Sequence, residues 1–66
     1  MKIGTKIKEL RIEKGLSQMQ LAKAIGVSQK AIDYWERQVN EPKASYIIAL
    51  VRVFEISFDE FFAEIE

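Results

Sequence analysis

The side chains able to do covalent chemistry in this 66-residue sequence are few, because it contains neither His nor Cys. Their absence removes imidazole acid–base catalysis, thiolate nucleophiles, disulfide staples and every zinc site built from those ligands. Hydroxyls and carboxylates remain. Ser17, Ser28 and Ser57 each follow an apolar residue and precede a helically spaced run, where a Ser side chain accepts from an unpaired backbone N–H. Asp59 and Glu60 fall in the first turn after Ser57. Negative charge is favoured there, so they read as helix-start charges and not as a glycosidase pair or metal site. No enzyme is expected, and no cofactor or small-molecule ligand is implied.

The elements that position the remaining polar groups are legible from caps and periodicity. The length allows one small domain, residues 1–66, whose stability must come from packing alone. Residues 1–5 hold no apolar run of signal-peptide type and no stretch approaches a membrane span, so a cytoplasmic, soluble protein is expected. Ile3, Ile7, Leu10 and Lys14 share one helical face, and Gly15 fits a stop, which predicts a first helix over 3–14. Ser17 with Gln20 forms a capping box and Leu16 with Leu21 a hydrophobic staple, so a second helix covers 18–25 and ends before Gly26. Ser28 opens a third helix over 29–37. Residues 38–41 form a loop closed by Pro42. The apolar stripe of Ala44, Ile47, Ile48, Val51 and Phe54 predicts a fourth helix over 44–54, with a short strand as the alternative because several of its residues are β-branched. Ser57 with Glu60, and Ile56 with Phe61, repeat the box and staple at the start of a fifth helix over 58–65. The expected fold is all-α, a compact five-helix bundle.

Helices two and three are separated by about three residues around Gly26, the length and composition of a helix-turn-helix. That geometry lets the first helix cross a phosphate backbone while the second enters the major groove, although plain structural bundles also contain such hairpins. A longer pattern goes further. Arg11, Gly15-Leu16-Ser17-Gln18, Leu21-Ala22, Gly26-Val27-Ser28, Ile32, Trp35-Glu36-Arg37 and Pro42 together resemble the phage Cro and repressor type of helix-turn-helix, often called the xenobiotic-response-element family. The likeness runs from about Ile3 to Phe62. It implies a lambda-repressor-like domain that binds double-stranded DNA, usually as a dimer, to regulate transcription, with repression at a palindromic operator as the expected mode.

The resemblance also implies roles. Gln18 matches a position that touches a phosphate and steadies the recognition helix. Ser28, Gln29, Lys30 and Tyr34 match positions facing the operator, with Asp33 beside them. Gln29 is the foremost base reader, since Gln pairs bidentately with adenine, whereas Lys30 can donate to guanine or merely to phosphate. Tyr34 can lie against sugar or a thymine methyl, or can be a packed lid. Arg37, Asn40 and Lys43 match the loop that runs beside the phosphates, with ordinary solvated surface as the alternative. Arg11 and Glu36 match a partly buried ion pair that fastens helix one to the end of helix three. Trp35 reads as core and not as a stacking platform. Two residues depart from the family pattern: Gln38 and Glu55 stand where Gly is common, which predicts backbone strain or altered turns there.

Phe58, Phe62 and Ile65 exceed what one short helix can hide, so they are expected either to form a two-fold dimer contact or to fold back and seal the bundle. The competing function is a protein-interaction module on the same fold, such as an adaptor or the neutralising half of a toxin pair. Charge bears on the choice. Ten basic and ten acidic side chains cancel overall. Lys2, Lys6, Lys8, Arg11, Lys14, Lys23 and Lys30 face only Glu9, Glu13 and Asp33 in residues 1–33, a balance of plus four, and residues 34–66 carry minus four. Helices one to three are therefore the positive half, and weak nonspecific affinity for DNA is expected rather than none.

Overall fold

The computed structural model describes residues 2–63 and folds them into five helices: α1 (Ile3–Glu13), α2 (Gln18–Ile25), α3 (Gln29–Glu36), α4 (Ala44–Phe54) and α5 (Phe58–Phe62). No strand occurs among the described residues, so the β-branched stretch of α4 is helical. The apolar stripe of α4 overrides the weak β preference of its Val and Ile residues because burying Leu50, Val51 and Phe54 needs helical spacing. Lys14 and Arg37, expected as last helical residues, are C-caps instead, and the expected end of α5 at Ile65 lies outside the described residues.

One device punctuates the chain four times. Gly15 (φ 70°), Gly26 (φ 75°), Gln38 (φ 64°) and Glu55 (φ 57°) all take the left-handed conformation just past a helix. Each time the next residue donates its backbone N–H five residues back: Leu16 to Arg11, Val27 to Ala22, Val39 to Tyr34 and Ile56 to Val51. These bonds satisfy carbonyls that a helix end leaves open. The following residue then decides what happens next. Leu16, Val27 and Ile56 turn inward against the core, and the Ser after each caps a new helix. Ser17 and Ser57 form complete capping boxes, with Gln20 and Glu60 as reciprocal partners. Val39 is instead 58 % exposed, and no helix restarts until Ala44.

The centre of the bundle is Ile7, Leu21, Ile32, Leu50, Phe54 and Phe61, all fully buried. Ile25, Val27, Ile47 and Ile56 are half-buried at its rim, Ile25, Val27 and Ile56 lying where helices end or turn. Trp35 is core, its ring tilted against Tyr46 with centroids 5.6 Å apart. Gly4 was not singled out by sequence reasoning, yet it sets how closely α1 approaches α3. A Cβ there would lie 1.9 Å from the Trp35 carbonyl oxygen. That oxygen also accepts the Gln38 N–H at 3.1 Å, so it cannot yield without disturbing the α3 stop.

Two opposite stability changes are expected from thermal unfolding. Glu55→Gly relieves a left-handed residue whose ion pair to Lys14, at 3.8 Å, is exposed, and should gain about 1 kcal/mol, raising Tm by about 4–8 °C. Gln38→Gly should gain less, since Gln38 Nε2 also donates to Thr5 on α1. Gly4→Ala should lower stability by about 1–3 kcal/mol although Ala favours helices, and an unchanged or higher Tm would disprove the close-approach argument.

Candidate nucleic-acid interface

The interface candidate is built at the turn between α2 and α3. Gly26 reverses the chain, Val27 tucks into the core, and the Ser28 hydroxyl accepts the Ala31 N–H at 3.1 Å. This leaves Ser28, Gln29 and Lys30 exposed along the first turn of α3, while Ile32 and Trp35 anchor its opposite face. Ser28 therefore uses one lone pair on capping and keeps its hydroxyl proton and a second lone pair for a ligand. Asp33 and Tyr34 are half-buried on the next turn.

A chain of charge-assisted bonds fixes α3 against the rest. Arg11 on α1 donates to Glu36 twice, from Nε to Oε2 at 2.7 Å and from Nη2 to Oε1 at 3.1 Å. Its Nη1 donates to the Leu16 carbonyl at 2.8 Å, tying in the turn that enters α2. Glu36 is only 3 % exposed in its side chain, and its hydrogen bonds hold the Arg11 guanidinium above its ordinary pKa against the desolvation that burial imposes. Gln18 joins from α2, its Nε2 donating to Glu36 Oε1 at 3.2 Å and to Asp33 Oδ1 at 3.5 Å. Asp33 Oδ2 in turn accepts from Arg37 Nε at 3.0 Å. Arg11, Gln18, Asp33, Glu36 and Arg37 thus form one connected set on three helices. No buried side-chain nitrogen or oxygen among the described residues lacks a partner.

The Tyr34 ring lies beneath two cations of its own helix, with Lys30 Nζ 5.4 Å and Arg37 Cζ 5.5 Å from its centroid. These contacts order two flexible basic side chains along the exposed edge of α3. Asn40 and Lys43 are exposed in the segment between α3 and α4. The Gln18 link to Asp33 and the double stacking on Tyr34 went unread in the sequence, although the Asp33/Arg37 and Lys30/Tyr34 spacings of four residues were a visible signal.

The principal neighbours of α3 are α2 and α1, so acidic α5 is not laid along it as a main partner. Phe58 and Phe62 on α5 remain 48 % and 39 % exposed, and Phe62 touches Phe61 edge-on at 5.0 Å. They do not fold back to seal the bundle. Ile65 lies outside the described residues. None of the described helices is long and apolar enough to cross a membrane.

The sequence pattern of the helix-turn-helix family matches residues 7–61. This chain belongs to the helix-turn-helix family of Cro and repressor type. An uncharacterized HTH-type transcriptional regulator of Rickettsia conorii is 33 % identical over 64 residues, covering 97 % of this chain and 51 % of its own length. The chain therefore spans about half the length of that relative. Among solved structures, the P22 c2 repressor in complex with a synthetic operator superposes with a TM-score of 0.84 at 33 % identity, covering 92 % of both chains. SinR, the master regulator for biofilm formation, in complex with DNA, gives a TM-score of 0.82 at 30 % identity, covering 91 % of this chain and 97 % of its own.

Removing one side of the ion pair should be costly out of proportion to its distance from α3's exposed face. Arg11→Ala leaves the Glu36 carboxylate buried without its main partner, and denaturant unfolding should show a loss of about 3–5 kcal/mol. The double change Arg11→Met with Glu36→Leu should cost less than the single one, because no buried charge is left behind. A larger loss for the double variant would contradict this account.

Proposed function

We propose that this protein binds double-stranded DNA sequence-specifically as a homodimer in the cytoplasm and regulates transcription, with repression by operator occupancy as its mode. The observation that carries the reading is the exposed start of α3, with Ser28, Gln29 and Lys30 in solvent on a helix that Gln18 and Arg11 fasten through Asp33 and Glu36. Gln29 presents a paired donor and acceptor suited to adenine, and Lys30 a cation suited to guanine or phosphate. Tyr34 offers a ring edge to sugar or thymine methyl, with Asp33 beside it. Gln18, Arg37, Asn40 and Lys43 supply phosphate donors around that reading surface. The P22 c2 repressor and SinR, both solved with DNA, support the assignment by likeness over 92 % and 91 % of this chain.

The exposed rings of Phe58 and Phe62, with Ile65 following, form the proposed two-fold contact. A dimer would set two α3 helices about one helical turn of DNA apart. The acidic groups of Glu55, Asp59 and Glu60 then belong to the half of the chain away from α3 in sequence charge, limiting nonspecific contact from that side.

Selection from random duplexes should recover two half-sites about one helical turn apart. Gln29→Ala should relax preference at one base pair by about 1–3 kcal/mol, whereas Lys43→Ala should weaken all sequences alike and reduce the salt slope by about one. The paired change Phe58→Ser with Phe62→Ser should leave a folded monomer by sedimentation and lower operator affinity. No enrichment from the pool, together with tight capture of a protein partner, would favour an interaction module over a regulator.

A further inference from the structure

We infer that Asp33 is a specificity-determining residue that acts by suppressing binding to arbitrary DNA, holding the phosphate donors Gln18 and Arg37 on an internal carboxylate, and not by reading a base. The inference rests on the DNA-binding reading above. A carboxylate on the reading helix is unfavourable beside a polyanion, so its presence needs a return elsewhere. Its contacts supply one. Asp33 Oδ2 takes Arg37 Nε at 3.0 Å, and Oδ1 takes Gln18 Nε2 at 3.5 Å. Arg37 is thereby partly offset by a neighbouring carboxylate in a surface pair, and becomes a full phosphate donor only when Asp33 releases it. Gln18 has two amide hydrogens, and Glu36 and Asp33 receive them both. A phosphate is an acceptor only, so it must displace one of these two acceptors. The 3.5 Å bond to half-buried Asp33 is the weaker, and the 3.2 Å bond to buried Glu36 keeps the side chain in place. The exchange is favourable only where α3 is seated deeply enough to bring a phosphate to Gln18. On a duplex whose bases do not match Gln29 and Lys30, the donors stay with Asp33. The Lys30–Tyr34–Arg37 stack keeps Arg37 close to Asp33 during that trial contact.

The test uses Asp33→Asn and Asp33→Glu, with binding measured across a salt series to the selected operator and to a random duplex of equal length. Freeing Arg37 adds one neutralised phosphate. At a slope of about 0.9 per phosphate this is worth roughly eightfold in affinity at 0.1 M salt relative to 1 M. Asp33→Asn should therefore bind the random duplex several-fold more tightly, with a salt slope steeper by about one, while operator affinity rises less and base preference is unchanged. Asp33→Glu keeps the charge within reach of Arg37 and should bind the random duplex as the parent does. In an Arg37→Gln background, the effect of Asp33→Asn on the salt slope should vanish. Unchanged or weaker random-duplex binding by a folded Asp33→Asn variant would overturn the inference, as would altered preference at one operator base pair, which would make Asp33 a base reader. Failure of the parent protein to bind any duplex is a different result and would remove the DNA-binding reading itself.

Discussion

The carboxylate of Glu36 is the point on which the arrangement of the first three helices depends. Three donors converge on it, two from Arg11 on α1 and one from Gln18 at the start of α2, while Glu36 itself is the last residue of α3. A buried carboxylate is costly to desolvate, and the cost is offset only when donors occupy its lone pairs in good geometry. The bonds here are short and partly bidentate, which fixes direction as well as distance. Apolar packing of Ile32 and Trp35 would hold α3 in the bundle without fixing its rotation or its sliding by a fraction of a turn. The ion pair removes that freedom. The orientation of Gln29 and Lys30 toward solvent is therefore an electrostatic consequence of contacts on the far end of the same helix.

Helix termination is the second constraint. A chain this short cannot use long loops, so each helix must stop and restart within a few residues. The left-handed stop followed by an inward apolar residue and a capping Ser does both tasks in three residues, at Gly15-Leu16-Ser17, Gly26-Val27-Ser28 and Glu55-Ile56-Ser57. Where the apolar follower is left in solvent, at Val39, the chain instead runs on as an exposed segment carrying Asn40 and Lys43. One backbone device thus yields three tight corners and one open loop, and the difference lies in whether the residue after the stop finds the core.

The helices were legible because their ends are written in local chemistry. Ser17, Ser28 and Ser57 act on backbone groups three residues away, so sequence alone contains both partners. The strained turns at Gln38 and Glu55 were legible as departures from a family pattern, and both are indeed at positive φ. What sequence hid was contact at a distance. Gly4 looked like an ordinary weak helix residue until Trp35, thirty-one positions on, was placed against it. The Gln18–Asp33 link spans fifteen positions and two helices, and nothing in the residue types demands it. The roles of Arg11 and Glu36 came from family likeness, since a buried ion pair and two solvated charges look the same in a one-dimensional string.

The charge balance gains a structural reading from the same contacts. Counting side chains gives plus four for residues 1–33, but Arg11 among them does not reach solvent as a free cation. Arg11 is committed to Glu36, and in the other half Arg37 is committed to Asp33. These two pairings cancel in the count and leave plus four and minus four: the first half yields Arg11 to a carboxylate of the second, and the second yields Arg37 to a carboxylate of the first. The exposed field of α1 to α3 then rests on Lys residues, which are mobile point charges that attract a duplex without fixing register. The Arg11 guanidinium is part-buried in the protein's own network, and that of Arg37 is paired with Asp33 at the surface. On the proposed DNA-binding reading, the dispersed Lys residues supply attraction and the exposed edge of α3 supplies registration, so a protein with no net charge would approach DNA weakly everywhere and settle only where that edge is matched.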